Sequence, residues 1–196
     1  MTKEIARRRG RPRQFDPAQG IEIAQQLFHE RGYDDVSVSD VTAALGINTP
    51  SFYAAFGNKA GLYDRVIERY SEQGAIPLAQ LLRRDRPVAE ALAAALEEAA
   101  RRYSADPAAT GCMVLEGCGS SDEEARTAAR AAHLAAERFI FNYIAERHPE
   151  QARDVTDYVS TVMNGLSAKA RMGQSQEQLL ASARLASLAL AQVLAG

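Results

Sequence analysis

The chain has 196 residues, enough for one large domain or a small domain joined to a medium one, and its 46% hydrophobic and 24% charged residues exclude a disordered chain. No run approaches the roughly 18 consecutive apolar residues of a membrane span, and no apolar stretch follows the N-terminal charge as in a signal peptide, so a cytoplasmic protein without membrane partners is expected. The net charge of −2 is unevenly placed: residues 1–13 hold Lys3, Arg7, Arg8, Arg9, Arg11 and Arg13 against Glu4, a net +5, which leaves −7 for the rest and points to local contact with a polyanion.

Apolar residues recur at spacings of three and four and no period-2 strand is evident, which predicts an all-α fold. Asp16-Pro17 supplies an N-cap and a first-turn proline for a helix over 17–31, with Ile21, Ala24, Leu27 and Phe28 as its stripe and Gly32 as its stop. Ser37 with Asp40 forms a capping box for a short helix through Val41, Ala44 and Leu45 to Gly46. Asn48 caps a third short helix that tolerates Pro50 in its first turn, so the pair reads as helix, glycine turn, helix. Asn58 caps a fourth helix over 59–73 that links to the remainder. Further helices are expected over 76–83, 87–104, 108–118, 122–147, 150–171 and 175–195, separated by Pro77, Pro87, Pro107, Pro149 and Gly173.

Several runs sit in register with one family: IAQQLFHERGY over 23–33, VSVSDVTAALGI over 36–47, SFYAAFGNK over 51–59, then Leu62. Residues 16–62 resemble the DNA-binding domain of TetR-family transcription regulators. The resemblance implies an N-terminal three-helix helix-turn-helix domain and a C-terminal helical domain for ligand binding and dimerisation. On that basis 1–14 is a basic arm, 15–60 the DNA-binding domain and 61–196 the sensor domain. The implied function is a homodimeric repressor released from double-stranded operator DNA by a small-molecule inducer or by thiol modification. An activator of the same fold and a helical protein-interaction module stand as alternatives.

A major groove about 12 Å wide admits one α-helix, N-terminal end first, which places Asn48, Thr49, Pro50, Ser51 and Ala54 toward base edges. Ser39 joins the DNA-facing set. Tyr53 and Lys59 match family positions that touch phosphates. Many relatives carry Lys or Gly around 49–50 and His or another polar residue at 54 or 55, whereas this chain has Thr49, Pro50, Ala54 and Ala55, so readout is expected to rest more on thymine methyls and on hydrogen bonds from Ser51, Thr49 and Asn48. For the arm, Arg7 to Arg13 reads either as a solvated tail or as a segment that folds onto DNA and enters the minor groove. Phe28, Val41, Leu45, Phe52, Phe56 and Leu62 are expected core.

Cys112 and Cys118 lack a zinc-ligand spacing and lie in an apolar segment, where each is either a small buried hydrophobe or a reactive thiol. A cysteine after a glycine, as at Cys112, resembles that of electrophile-responsive members of the family. His29, His133 and His148 have no ligand spacing, and neither a metal nor a cofactor is expected. An enzyme using Cys112 and His133 lacks any supporting motif. An apolar effector is expected among Leu92, Leu96, Tyr103, Cys112, Met113, Leu115, Phe139, Phe141, Tyr143, Met163 and Met172, a concentration of Met and aromatic side chains. Val155, Val159, Val162, Met163 and Leu166, with Leu179, Leu180, Ala183, Ala186, Leu190 and Val193, are expected to pair two chains in a four-helix bundle.

Overall fold

Local capping chemistry starts most of the helices of the DNA-binding half. In a computed structural model, which describes residues 16–195, the chain forms ten α-helices and one π-helical turn, and no strand occurs among the described residues. The arginines of the arm lie outside that range.

Asp16 accepts from the Ala18 amide and Pro17 opens α1 (Pro17–Arg31). Ser37 and Asp40 close a reciprocal capping box on α2 (Val38–Leu45), with the Asp40 amide donating to Ser37 Oγ at 3.1 Å and the Ser37 amide to Asp40 Oδ2 at 2.8 Å. Gly46, with φ +65°, turns the chain where a side chain would be strained. Asn48 then caps α3 (Thr49–Phe56), and Asn58 caps α4 (Lys59–Arg69). The remaining helices are α5 (Leu78–Leu81), α6 (Val88–Tyr103), α7 (Met113–Gly117), α8 (Glu123–Ala145), α9 (Ala152–Arg171) and α10 (Gln176–Val193).

Two of these differ from the sequence expectation. The fourth helix does not run regularly to 73: it changes at Tyr70–Gly74 into a π turn, closed by the Ala75 amide on the Tyr70 carbonyl at 2.7 Å. A Cβ on Gly74 would stand 2.8 Å from the Tyr70 ring, so glycine is what lets the turn close. The helix expected over 108–118 begins only at Met113. Gly111 takes φ +79°, its amide returns to the Tyr103 carbonyl at 2.8 Å, and a Cβ there would meet Arg171 Nε at 2.9 Å.

Two apolar cores result. One gathers Phe28, Val41, Phe52, Phe56, Leu62, Tyr63 and Val66 with Met113, Val114, Ala125 and Ala129 from α7 and the start of α8. Leu45, expected in it, is only partly buried at its margin. The other packs α6 against α9, α10 and the end of α8 through Leu92, Leu96, Ile140, Ile144, Val159 and Leu190. The α4 helix lies in the first core and ends beside the second.

The Asp40 carboxyl is exposed yet held at about 2, first by the Ser37 hydroxyl, then by the Ser37 amide and by Arg31. A depressed folded pKa stabilises the fold above the unfolded value of about 3.9 and stops doing so as pH falls through the folded value. An NMR titration of the side chain is therefore expected to give a midpoint near 2, and Ser37→Ala to move it up toward the ordinary carboxylate value.

Candidate DNA-binding surface and effector cavity

The N-terminal end of α3 projects from the first core because Phe52 and Phe56 anchor its inner face. Thr49, Pro50, Ser51 and Ala54 are exposed along its outer side, and Tyr53 is 50% exposed with its ring edge-on to Phe52 at 5.4 Å. Ser39 is exposed at the start of α2. Asn48 is placed differently from its neighbours: its Oδ1 accepts the Ser51 amide at 2.8 Å, so this oxygen is committed to starting the helix. A short helix, a glycine turn and a second helix with a free N-terminal face form the arrangement of a helix-turn-helix DNA-binding protein.

Lys59 departs from a simple phosphate contact. Its Nζ donates to the Tyr33 carbonyl at 3.0 Å and the Val36 carbonyl at 2.9 Å and sits 3.8 Å from the Tyr33 ring centre. Burial pushes its pKa down, opposed by Asp122 and Asp34. Two of its three donors thus brace the α1–α2 connection, and one is left for an anion. The same connection is tied to the C-terminal half. Asp34 accepts from the Ser120 hydroxyl at 2.7 Å and the Ser121 amide at 2.9 Å, and the Tyr33 hydroxyl donates to Asp122 at 3.2 Å.

At the far end of α4 lies a cavity of about 470 Å³, within the range of about 300–1,000 Å³ typical of small-molecule sites. Of the residues expected to hold an effector, Tyr103, Cys112, Leu115, Phe139 and Met163 line it. Leu92 and Leu96 do not, because they point from α6 into the second core and are fully buried there. Met113 is consumed by the first core. The Tyr143 hydroxyl donates to the Arg83 carbonyl at 2.8 Å, fixing the chain before α6 to α8, while Phe141 and Met172 are exposed.

The sequence reading missed Tyr70, Glu72 and Ile76 from the π turn and its exit, and His133, Glu137 and Ser160. The His133/Glu137 spacing of one helical turn was the available signal for the second set. Nothing in the sequence marked the first. The Tyr70 hydroxyl points to Cys112 Sγ at 3.7 Å, and the His29 ring packs edge-on to Tyr70 with Nε2 3.2 Å from the Gly111 carbonyl. Burial holds the His29 pKa down and pushes the Cys118 thiol up.

Comparison with known proteins agrees with this architecture. Residues 21–66 match the bacterial regulatory proteins of the tetR family. The chain is 56% identical over 194 residues to the HTH-type transcriptional repressor BdcR of Escherichia coli (strain K12), covering 99% of this chain and 98% of that protein. It is 30% identical over 193 residues to the HTH-type transcriptional repressor ComR of the same organism, covering 91% and 90%. The structure of a cysteine mutant of the TetR family regulator CifR, complexed with 26bp double-strand operator DNA, matches with a TM-score of 0.82 at 29% identity over 91% of this chain and 99% of that one. The chain belongs to the tetR family: it is a helix-turn-helix transcriptional regulator that acts by binding DNA, not an enzyme.

Tyr53→Phe is expected to weaken operator and non-operator DNA alike by about 1 kcal/mol, whereas Thr49→Ala and Ser51→Ala change the ranking of operator variants. Lys59→Ala is expected to lower unfolding stability as well, by about 1 kcal/mol, since two backbone carbonyls lose their donor. Anisotropy titrations against operator and scrambled duplexes, paired with urea unfolding, check all four.

Proposed function

We propose that this regulator is a homodimeric repressor, released from its operator when a small and mainly apolar molecule fills the cavity at the end of α4. The observation that carries the reading is the π turn: one continuous segment begins beside the recognition helix at Lys59 and forms a cavity wall at Tyr70–Gly74. A molecule that displaces this wall shifts α4, and with it the helix-turn-helix. In a dimer the two recognition helices must match half-sites about 34 Å apart, so a small rotation of each weakens binding. Repression, rather than activation, is supported by the similarity to BdcR and ComR, and operator DNA as partner by the similarity to CifR.

The apolar stripes that suggested pairing are used differently. Val155, Val159, Met163, Leu166, Leu179, Ala183, Ala186 and Leu190 are buried within the chain against α6 and its neighbours. Support for a dimer comes from the opposite faces of the same helices. Leu185 and Leu188 are 69% and 68% exposed, Tyr158 is also exposed, and a groove between α9 and α10 runs past Val162 and Gly165. The arm, with Arg7, Arg8, Arg9, Arg11 and Arg13, supplies phosphate contacts in this reading.

Thiol modification is the second route to release, favoured by one contact: Cys112 lines the cavity and takes the Tyr70 hydroxyl, so an adduct on this sulfur meets the same turn.

Light scattering is expected to give a dimer for the parent and a monomer for Leu185→Glu with Leu188→Glu, the monomer having lost operator affinity. Saturating an apolar ligand in the cavity should lower operator affinity by about 5–150-fold, the usual span of allosteric coupling. A ligand bound there with operator affinity unchanged refutes the sensor role. Alkylation that releases DNA from the parent but not from Cys112→Ser assigns the thiol route, and equal release from both removes it.

A further inference from the structure

The effector cavity has one polar end. Glu137 and His133 reach it from α8 and Ser160 from α9, and both neighbours address the same carboxylate oxygen: Ser160 Oγ lies 2.5 Å and His133 Nε2 3.3 Å from Glu137 Oε1. Oε2 has no hydrogen-bonding or ionic partner among the described residues. A second carboxylate, Glu72, comes from the π turn, and no lysine or arginine lines the cavity. Tyr70, Tyr103 and Phe139 supply aromatic groups, and Leu115, Ile140 and Met163 supply apolar surface.

An anion entering this space meets two carboxylates, and His133, already engaged with Glu137 Oε1, is the one lining side chain able to carry positive charge. A neutral apolar molecule strips water from Glu137 and gives nothing back, which is costly for a charged group in apolar surroundings. An ammonium offers Oε2 a charge-assisted hydrogen bond. Resting on the reading of this cavity as the effector site, we propose that the effector is a small organic cation, its ammonium on Glu137 Oε2 and its apolar body against Leu115, Ile140 and Met163. The volume, about 470 Å³, readily admits a body of one aromatic ring with a short chain.

The test uses the full-length protein and three matched probes: 2-phenylethylamine, 2-phenylethanol and 3-phenylpropanoate. Calorimetry measures binding, and anisotropy measures operator affinity with each probe present. The amine is expected to bind about tenfold or more tighter than the alcohol, with the acid weakest, and Glu137→Gln to remove that preference. Equal or tighter binding of the alcohol or the acid by the parent overturns the proposal, as does failure of the amine to bind or an amine preference that persists in Glu137→Gln. The parent series decides the matter even if the variant does not fold. Release of operator by the alcohol or acid at concentrations no higher than the amine requires overturns only the charge assignment and leaves the sensor role standing. Selective amine binding without operator release supports the charge assignment and refutes the sensor role.

Discussion

Everything in this molecule depends on α4 being packed from both sides. Leu62, Tyr63, Val66 and Ile67 are buried on one helix, against Phe28 of α1 on the DNA-binding side and Met113, Val114, Ala125 and Ala129 of α7 and α8 on the other. Burial of each large apolar side chain contributes about 1.5–3 kcal/mol, so this shared core, rather than any polar link, holds the two halves together. Its centre is aromatic: Tyr63 stands edge-on to Phe28 at 5.3 Å and tilted on Tyr33 at 4.7 Å. The recognition helix inherits its orientation from that packing.

Around the apolar contact runs a ring of polar ones. Asp34 with Ser120 and Ser121, Tyr33 with Asp122, His29 with Gly111, and Arg69 with Glu22 and Gln25 each join different parts of the chain. Pairs exposed to water contribute about 0–1 kcal/mol apiece. Their effect is on register: they select one seating of the helix-turn-helix among those that the apolar surface alone would accept. Such contacts can be exchanged at low cost.

The DNA-binding half was legible because its signals are local. Asp16, Ser37 with Asp40, Asn48 and Asn58 each fix a helix start through a bond two or three residues away, and the residues that make them are adjacent in sequence. Lys59 was only half legible, since its two carbonyl partners lie 26 and 23 residues earlier and follow from the fold. The cavity at the end of α4 was harder. Helical spacing marks Leu92, Leu96 and Met163 equally as apolar, and only the packing of α6 against α9 and α10 separates core from cavity wall. The π turn was not legible either: Gly74 marks only where the helix ends, and the partners of Tyr70, His29 and Cys112, lie about 40 residues away on either side. The α9 and α10 stripes identified an apolar face correctly but not the surface it covers, which is the chain's own α6.

Gly74 and Gly111 admit neighbouring side chains, but a third glycine sets a limit of another kind. Where α7 meets α4 and α8, a Cβ on Gly117 would come within 2.2 Å of the Tyr63 hydroxyl and 2.9 Å of the Ala129 methyl, so only glycine fits there. There is no slack on that side. The helix that leads out of the recognition unit is bounded by α7 on that side and by Phe28 of α1 on the other. Any side chain larger than hydrogen at position 117 would have to push Tyr63 aside, and with it the aromatic centre on which α1 rests.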